Sequence, residues 1–144
     1  MIRPAVVEDA AAVAHVHRSS RAEAYAHLGP QREITVERWV ELLSDGSRTW
    51  VWEQDGAVLG FASVAAALLA ALYVLPGAQG RRIGTALLDF AVGHGARELW
   101  VYEDHPRARA FYAREGWVAE PETLTVDPDW SPPLAPALRY RYAR

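Results

Sequence analysis

Polar and apolar positions recur along this chain with periods that change from one segment to the next, and each period predicts an element. From Ile83, the apolar residues Ile83, Ala86, Leu87, Phe90 and Ala91 follow the i, i+3, i+4, i+7, i+8 spacing of a helix laid by one face on a sheet. Gly93 and Gly95 are its stop signals. Near the start, Ala10, Val13, Ala14 and His17 share a helix face behind Glu8 and Asp9, acids that suit a first turn. A second short helix is expected over Arg21 to Leu28, broken by Gly29-Pro30. Thr35 caps a third, which carries Val36, Trp39, Val40 and Leu43 and ends at Asp45-Gly46.

Strand patterns fill the rest. Ile2-Arg3-Pro4 reads as a short edge strand, because Pro4 has no N–H to donate. Thr49 to Gln54 and Ala57 to Val64 read as a hairpin about Asp55-Gly56, a strong two-residue turn signal. A further strand ends in Leu72-Tyr73-Val74. A turn is expected before it, yet Ser63 to Ala71 contains no Gly, Pro, Asn or Asp. Alanine and leucine favour helix over strand, so a helical turn there is the alternative. Glu98 to Tyr102 is a short strand, and Pro106 opens a helix that runs to Glu115, stops at Gly116 and carries Ala108, Phe111 and Tyr112 on its core stripe. Trp117-Val118 begins an extended piece, Pro128 to Pro136 is a surface loop, and Leu138 to Tyr142 alternates as a final strand should.

The run from Leu72 to Leu88 joins a buried strand, a glycine-bearing turn and a helix start, which is the geometry of an anion site. The first N–H groups of a helix lack intrahelical partners and its dipole adds partial positive charge, so a diphosphate can sit there. Gly80 and Gly84 allow close approach, and Arg81 and Arg82 add cations. The segment is neither a Walker P-loop nor a GxGxxG dinucleotide turn, which argues against ATP and NAD.

Gln79-Gly80-Arg81-Arg82-Ile83-Gly84 resembles the Q/R-x-x-G-x-G/A signature of the GCN5-related N-acetyltransferases, with Arg82 where the first signature glycine is usual. A second frame, Arg81 to Ala86, fits without a mismatch. The stretch His105 to Trp117 is similar to the family's other hallmark, Asn-x-x-Ala-x-x-Phe-Tyr-x-x-x-Gly-Phe/Trp, with His105 in place of the asparagine. The resemblance spans nearly the whole chain and implies an α/β fold with a mixed sheet of about six to seven strands flanked by about four helices.

It also implies acetyl-CoA as cosubstrate. Tyr73, Val74, Gln79, Gly80, Arg81, Arg82, Ile83, Gly84, Thr85, His105 and Arg109 are the expected cofactor-binding residues. In such proteins an amine attacks the thioester carbonyl directly. A free backbone N–H at Tyr73 or Val74 would stabilise the oxyanion, and Tyr112 would act as general acid toward the leaving thiolate. A thiol near pKa 8.5 against a phenol near 10 makes full proton transfer uphill by roughly 2 kcal/mol, so hydrogen bonding to the sulfur carries part of that role.

Many relatives place a glutamate on the strand before the glycine loop, where this chain has Leu68, Leu69, Ala70 and Ala71. Either a water relay to Glu103, Asp104 or a histidine takes the amine proton, or the acceptor arrives largely neutral. At pH 7 a lysine amine is about 0.04% neutral and an α-amine about 14%, a gap of roughly 3.5 kcal/mol that tilts the expectation toward a low-pKa amine. The same apolar strand motivates a rival reading, a CoA-binding module without turnover. The family's acceptor cleft is lined by the first two helices and their connection, so Ser19, Ser20, Tyr25 and His27 are acceptor-side candidates. Dimerisation is common in the family and leaves no sequence trace here.

Composition narrows the classes. With 144 residues, 51% of them hydrophobic, and no linker-like stretch, the chain suits one domain. A net charge of −3 argues against a generic nucleic-acid surface. The absence of cysteine excludes disulfides, a thiolate nucleophile and Cys-type zinc sites. Among five histidines, His15 and His17 point to different helix faces and no HExxH occurs, so no metal is expected. The longest apolar run, Val64 to Leu75, has 12 residues, short of the roughly 20 that span a bilayer. With no leader-like start, the expectation is a cytoplasmic protein.

Overall fold

Alternating side chains let one sheet serve two helical layers. On neighbouring central strands Trp50 and Ala62 face one side, while Val51 and Phe61 face the other. The computed structural model describes residues 1–24, 34–126 and 136–144. Its strands are β1 (Ile2–Pro4), β2 (Arg48–Gln54), β3 (Ala57–Ala65), β4 (Leu68–Val74), β5 (Glu98–Tyr102), β6 (Trp117–Val126) and β7 (Pro136–Tyr142). The helices are α1 (Ala10–Ala24), α2 (Val36–Ser44), α3 (Ile83–Gly93) and α4 (Pro106–Arg114). The sheet order is β1-β2-β3-β4-β5-β7-β6, with β4 and β5 parallel and the other pairs antiparallel. Among the described residues this is the mixed sheet of about six to seven strands with about four helices that the family resemblance implies.

The α3 face buries Ile83, Leu87 and Leu88 against Leu99, Val101 and Leu138, and α4 adds the half-buried Ala108, Phe111 and Tyr112 to that cluster. The other face packs Val13 and Val16 of α1 and Trp39 of α2 on Val51 and Phe61. Thr35 caps α2 as expected, its Oγ1 accepting from the Arg38 N–H at 3.1 Å. Val40, placed on the apolar stripe by its spacing, is 39% exposed. At the N-terminus the Arg3 guanidinium forks onto both Asp9 oxygens at 2.8 and 2.9 Å and reaches Glu53 at 2.9 Å, tying β1, the entry to α1 and β2 together. Arg3 holds the Asp9 carboxyl below the usual carboxylate range.

Two expectations need correction. Arg21 to Ala24 do not begin a separate helix but finish α1; residues 25–28 lie outside the described residues, as do the Gly29-Pro30 break and most of the 128–136 loop. The stretch before Leu72 forms no helical turn. β3 and β4 meet in a tight hairpin with Ala65 paired to Leu68, and Ala66 takes φ +53. Tertiary packing overrides the local preference: Val64, Leu69 and Ala71 are buried, and the Ala67 carbonyl accepts from the Arg97 and Glu98 N–H groups at 2.8 and 3.1 Å. The Asp55-Gly56 turn, by contrast, forms with φ +53 and +79, the type I′ signs its sequence predicts. Alanine in the left-handed region is strained, so Ala66→Gly is expected to raise stability by up to about 1 kcal/mol, measured by denaturant unfolding. A drop in stability would contradict the assigned turn.

Candidate active site

A slit opens where β4 and β5 part. The two strands pair only through Leu68 and Glu98 and separate from there toward their C-terminal ends. Backbone direction in the slit follows from the β3 ladder. The Leu75 N–H donates to the Leu59 carbonyl at 2.8 Å, so by alternation Tyr73 also turns its N–H toward β3, and Val74 turns N–H and C=O toward the slit. The Val74 carbonyl does face there, accepting from Ser20 Oγ at 3.0 Å and Gln79 Nε2 at 3.2 Å. Of Tyr73 and Val74, only Val74 therefore turns its backbone N–H into the slit.

The slit continues into a groove of about 1130 Å³, walled by α1, β4, the loop before α3, β5 and α4. Ile83, Gly84 and Thr85 open α3, and the first helical bond comes from the Ala86 N–H to the Arg82 carbonyl at 3.1 Å, which leaves the preceding amides aimed out of the helix end. Arg82, the N-cap, sits at φ +64, and Gly80 at φ +85. A left-handed Arg82 accounts for the glycine usual at this position and selects the Gln79 to Gly84 frame over the frame starting at Arg81. Gly84 lowers helix propensity by about 1 kcal/mol. A Cβ there would meet no protein atom closer than 3.8 Å, so close packing does not explain it; the space it leaves belongs to the groove. These outward amides, the cationic Arg82 and Arg107 and the open Gly84 suit a diphosphate group.

On the far wall, His105 is the N-cap of α4, its Nδ1 accepting from the Ala108 N–H at 3.5 Å, and Pro106 takes the first helical position. Histidine thereby serves as the cap an asparagine would supply. Tyr112, two turns on, lines the groove half-buried against Phe111, Trp117 and Tyr140. Burial, and then the Tyr73 phenol across the groove, push its pKa above the ordinary tyrosine value. Gln79 bridges the mouth, its Oε1 accepting from Arg107 Nη2 at 3.1 Å while its amide holds Val74.

Tyr73, Val74, Gln79, Gly80, Arg82, Ile83, Gly84, Thr85, His105 and Tyr112 all line this one groove. Arg81 and Arg109 do not. Arg81 is exposed with its guanidinium near the Gly77 carbonyl, and Arg109 donates to the Tyr140 hydroxyl at 2.9 Å, fastening α4 to β7. Ser20 lines the groove and Ser19 does not; Tyr25 and His27 lie outside the described residues. Spacing alone missed Glu23, one turn beyond Ser20 on the same wall, and the buried Arg21, whose guanidinium reaches the hydroxyls of Tyr73 at 3.1 Å and Tyr102 at 3.4 Å. No group of three or more metal-ligating side chains occurs among the described residues.

Residues 45–119, more than half of the chain, match the family described as the acetyltransferase (GNAT) domain. The chain belongs to the GNAT acetyltransferase family. Over 73 residues it is 40% identical to the peptidyl-lysine N-acetyltransferase YiaC of Escherichia coli, covering 49% of this chain and 50% of that protein. It spans half or less of the length of the curated relatives it matches. The solution structure of apo YjaB from Escherichia coli superposes with a TM-score of 0.75 at 20% identity, covering 99% of this chain and 96% of that one. A GNAT phosphinothricin acetyltransferase from Sinorhizobium meliloti, in complex with acetyl-CoA, superposes with a TM-score of 0.71 at 21% identity, covering 97% and 85%. Both share the GNAT fold described above.

Proposed function

We propose that this protein is an acetyl-CoA-dependent N-acetyltransferase acting on a primary amine by direct attack. The observation that carries the reading is the convergence, in one groove, of the α3 amides behind Arg82, the slit-facing Val74 N–H and the Tyr112 phenol. When bound, acetyl-CoA supplies an activated acetyl thioester. The amides of Ile83, Gly84 and Thr85, with Gly80, Gln79 and Arg82, would hold its diphosphate. The Val74 N–H would face the thioester oxygen, preorganised because the strand fixes its direction. Tyr112, kept neutral by its surroundings, would donate a hydrogen bond to the sulfur. The name of the relative YiaC favours a lysine side chain as acceptor, while the apolar β4 favours a less basic amine.

Titrating coenzyme A into the folded protein by calorimetry should give a saturable one-site heat. Arg82→Gly should weaken that binding about tenfold, roughly 1.4 kcal/mol, and at the same time raise the thermal midpoint, because glycine relieves the left-handed strain. No heat with coenzyme A would overturn the proposal. Binding without thiol release for any amine would leave the cofactor-binding module without turnover.

A further inference from the structure

Resting on that reading of the groove, we propose that Glu23 is the carboxylate that receives the acceptor's ammonium group and relays its proton to solvent. Three carboxylates line the groove among the described residues: Glu23, Asp104 and Glu115. Glu115 belongs to the α3 end, where its Oε1 accepts from Thr85 Oγ1 at 3.4 Å and lies 3.9 Å from Arg114 Nε. Asp104 stands beside His105 at the opening of α4, on the opposite wall. Glu23 alone comes from α1.

Its position follows from Ser20. The Ser20 hydroxyl is fastened to the Val74 carbonyl at 3.0 Å, and Glu23 follows three residues later on the same helix face, with Cβ atoms about 5–6 Å apart at that spacing. The backbone that carries Glu23 is thus held one helical turn from the Ser20 contact with the end of β4, where the Val74 N–H enters the slit. Glu23 is exposed to the groove and forms no ion pair with a described residue. Its neighbour Arg21 points instead into the interior, onto the Tyr73 and Tyr102 hydroxyls. The cations lining the groove, Arg82, Arg107 and Arg114, come from the α3 loop and α4 rather than from α1. The α3 and α4 side of the groove thus carries three arginines beside Asp104 and Glu115, whereas the α1 side carries Glu23 with no lining cation beside it.

The chemistry balances. An alkylammonium enters with three N–H protons. One passes by way of Glu23 to water, the freed lone pair forms the C–N bond as the C–S bond breaks, a second proton ends on the sulfur beside Tyr112, and the third stays as the amide N–H. This answers the missing base on β4: the carboxylate comes from a helix rather than from the strand, and a strongly basic amine such as a lysine side chain becomes a competent acceptor.

The test compares Glu23→Gln with wild type on a lysine-containing peptide and on a weakly basic amine that is neutral at pH 7, following thiol release and, separately, coenzyme A binding by calorimetry. The expected result is a loss of about 100-fold in kcat/KM for the lysine peptide, a much smaller loss for the neutral amine, and an unchanged coenzyme A affinity. Glu23→Asp should recover part of the lysine activity. Equal losses for both amines, or none for either, would overturn the assignment. So would loss of coenzyme A binding in Glu23→Gln, since that would make Glu23 a support of the fold. Wild-type protein that binds no coenzyme A would instead sink the underlying reading of the groove.

Discussion

Tyr112→Phe should lower kcat about 100-fold or more while leaving coenzyme A affinity within about twofold. The ring packs against Phe111, Trp117 and Tyr140, and phenylalanine preserves those contacts, so the substitution removes one oxygen and little else. Burial first, and then the nearby Tyr73, hold the phenol above the ordinary tyrosine pKa. A phenol that resists ionisation is a weak acid, and complete transfer of its proton to a thiolate is less favourable here than in water. In the proposed reaction its contribution is a hydrogen bond to the departing sulfur, and its ionisation should place no alkaline limb on the rate below about pH 10. Steady-state kinetics with thiol detection, paired with calorimetry, measures both quantities. Full kcat in the phenylalanine variant would remove Tyr112 from the chemistry.

Acidification should unfold the protein with an unusually steep dependence, and His17 is the reason. Its imidazole is 1% exposed on α1, accepts from Trp39 Nε1 at 3.2 Å and packs against Tyr73 and Phe61. Burial, reinforced by the neighbouring Arg21 charge, lowers its pKa from 6.5 to about 3. In the unfolded chain the ring takes up a proton as pH falls below about 6.5, whereas the folded protein refuses one until about pH 3. Stability is lost across that window, reaching about 5 kcal/mol at its lower end. Asp9 adds a loss of the same sign, because Arg3 holds its carboxyl low, so the comparison must isolate the histidine. Between pH 7 and 4 wild type should lose about 3 kcal/mol more than His17→Gln, in which the side-chain carbonyl can still accept from Trp39. Denaturant unfolding at both pH values reads the difference; parallel slopes would rule out His17 as the sensor.

Local signals made much of this protein readable from its sequence. The Asp55-Gly56 turn, the Thr35 cap, the α3 stripe and the His105-Pro106 start of α4 each depend on residues within a turn or two of one another, and each forms where the pattern places it. The strand, turn and helix start of the glycine loop were legible too, although the reason a glycine is usual where Arg82 stands needed a backbone angle. What stayed hidden depends on distant partners. Ala66 turns the chain because flanking strands are held by packing and by β5, not because alanine favours that conformation. Glu23 becomes interesting only when Ser20 and Val74, 54 residues apart, are brought into contact. Arg109 is expected among the cofactor-binding residues, and its hydrogen bond to the Tyr140 hydroxyl on β7 could not be read from its neighbours in sequence.

The parting of β4 from β5 has a mechanical consequence. One parallel pairing at Leu68 and Glu98 joins a four-stranded plate to a three-stranded one, so the two plates meet at their base and stand apart, like the covers of an open book, toward the Val74 end. A slender molecule with amide groups of its own, lying along the spine, would supply rungs that the sheet lacks and clasp the covers. Loading the protein should accordingly stiffen it far from the point of contact, with slower amide exchange along β4 and β5 alike.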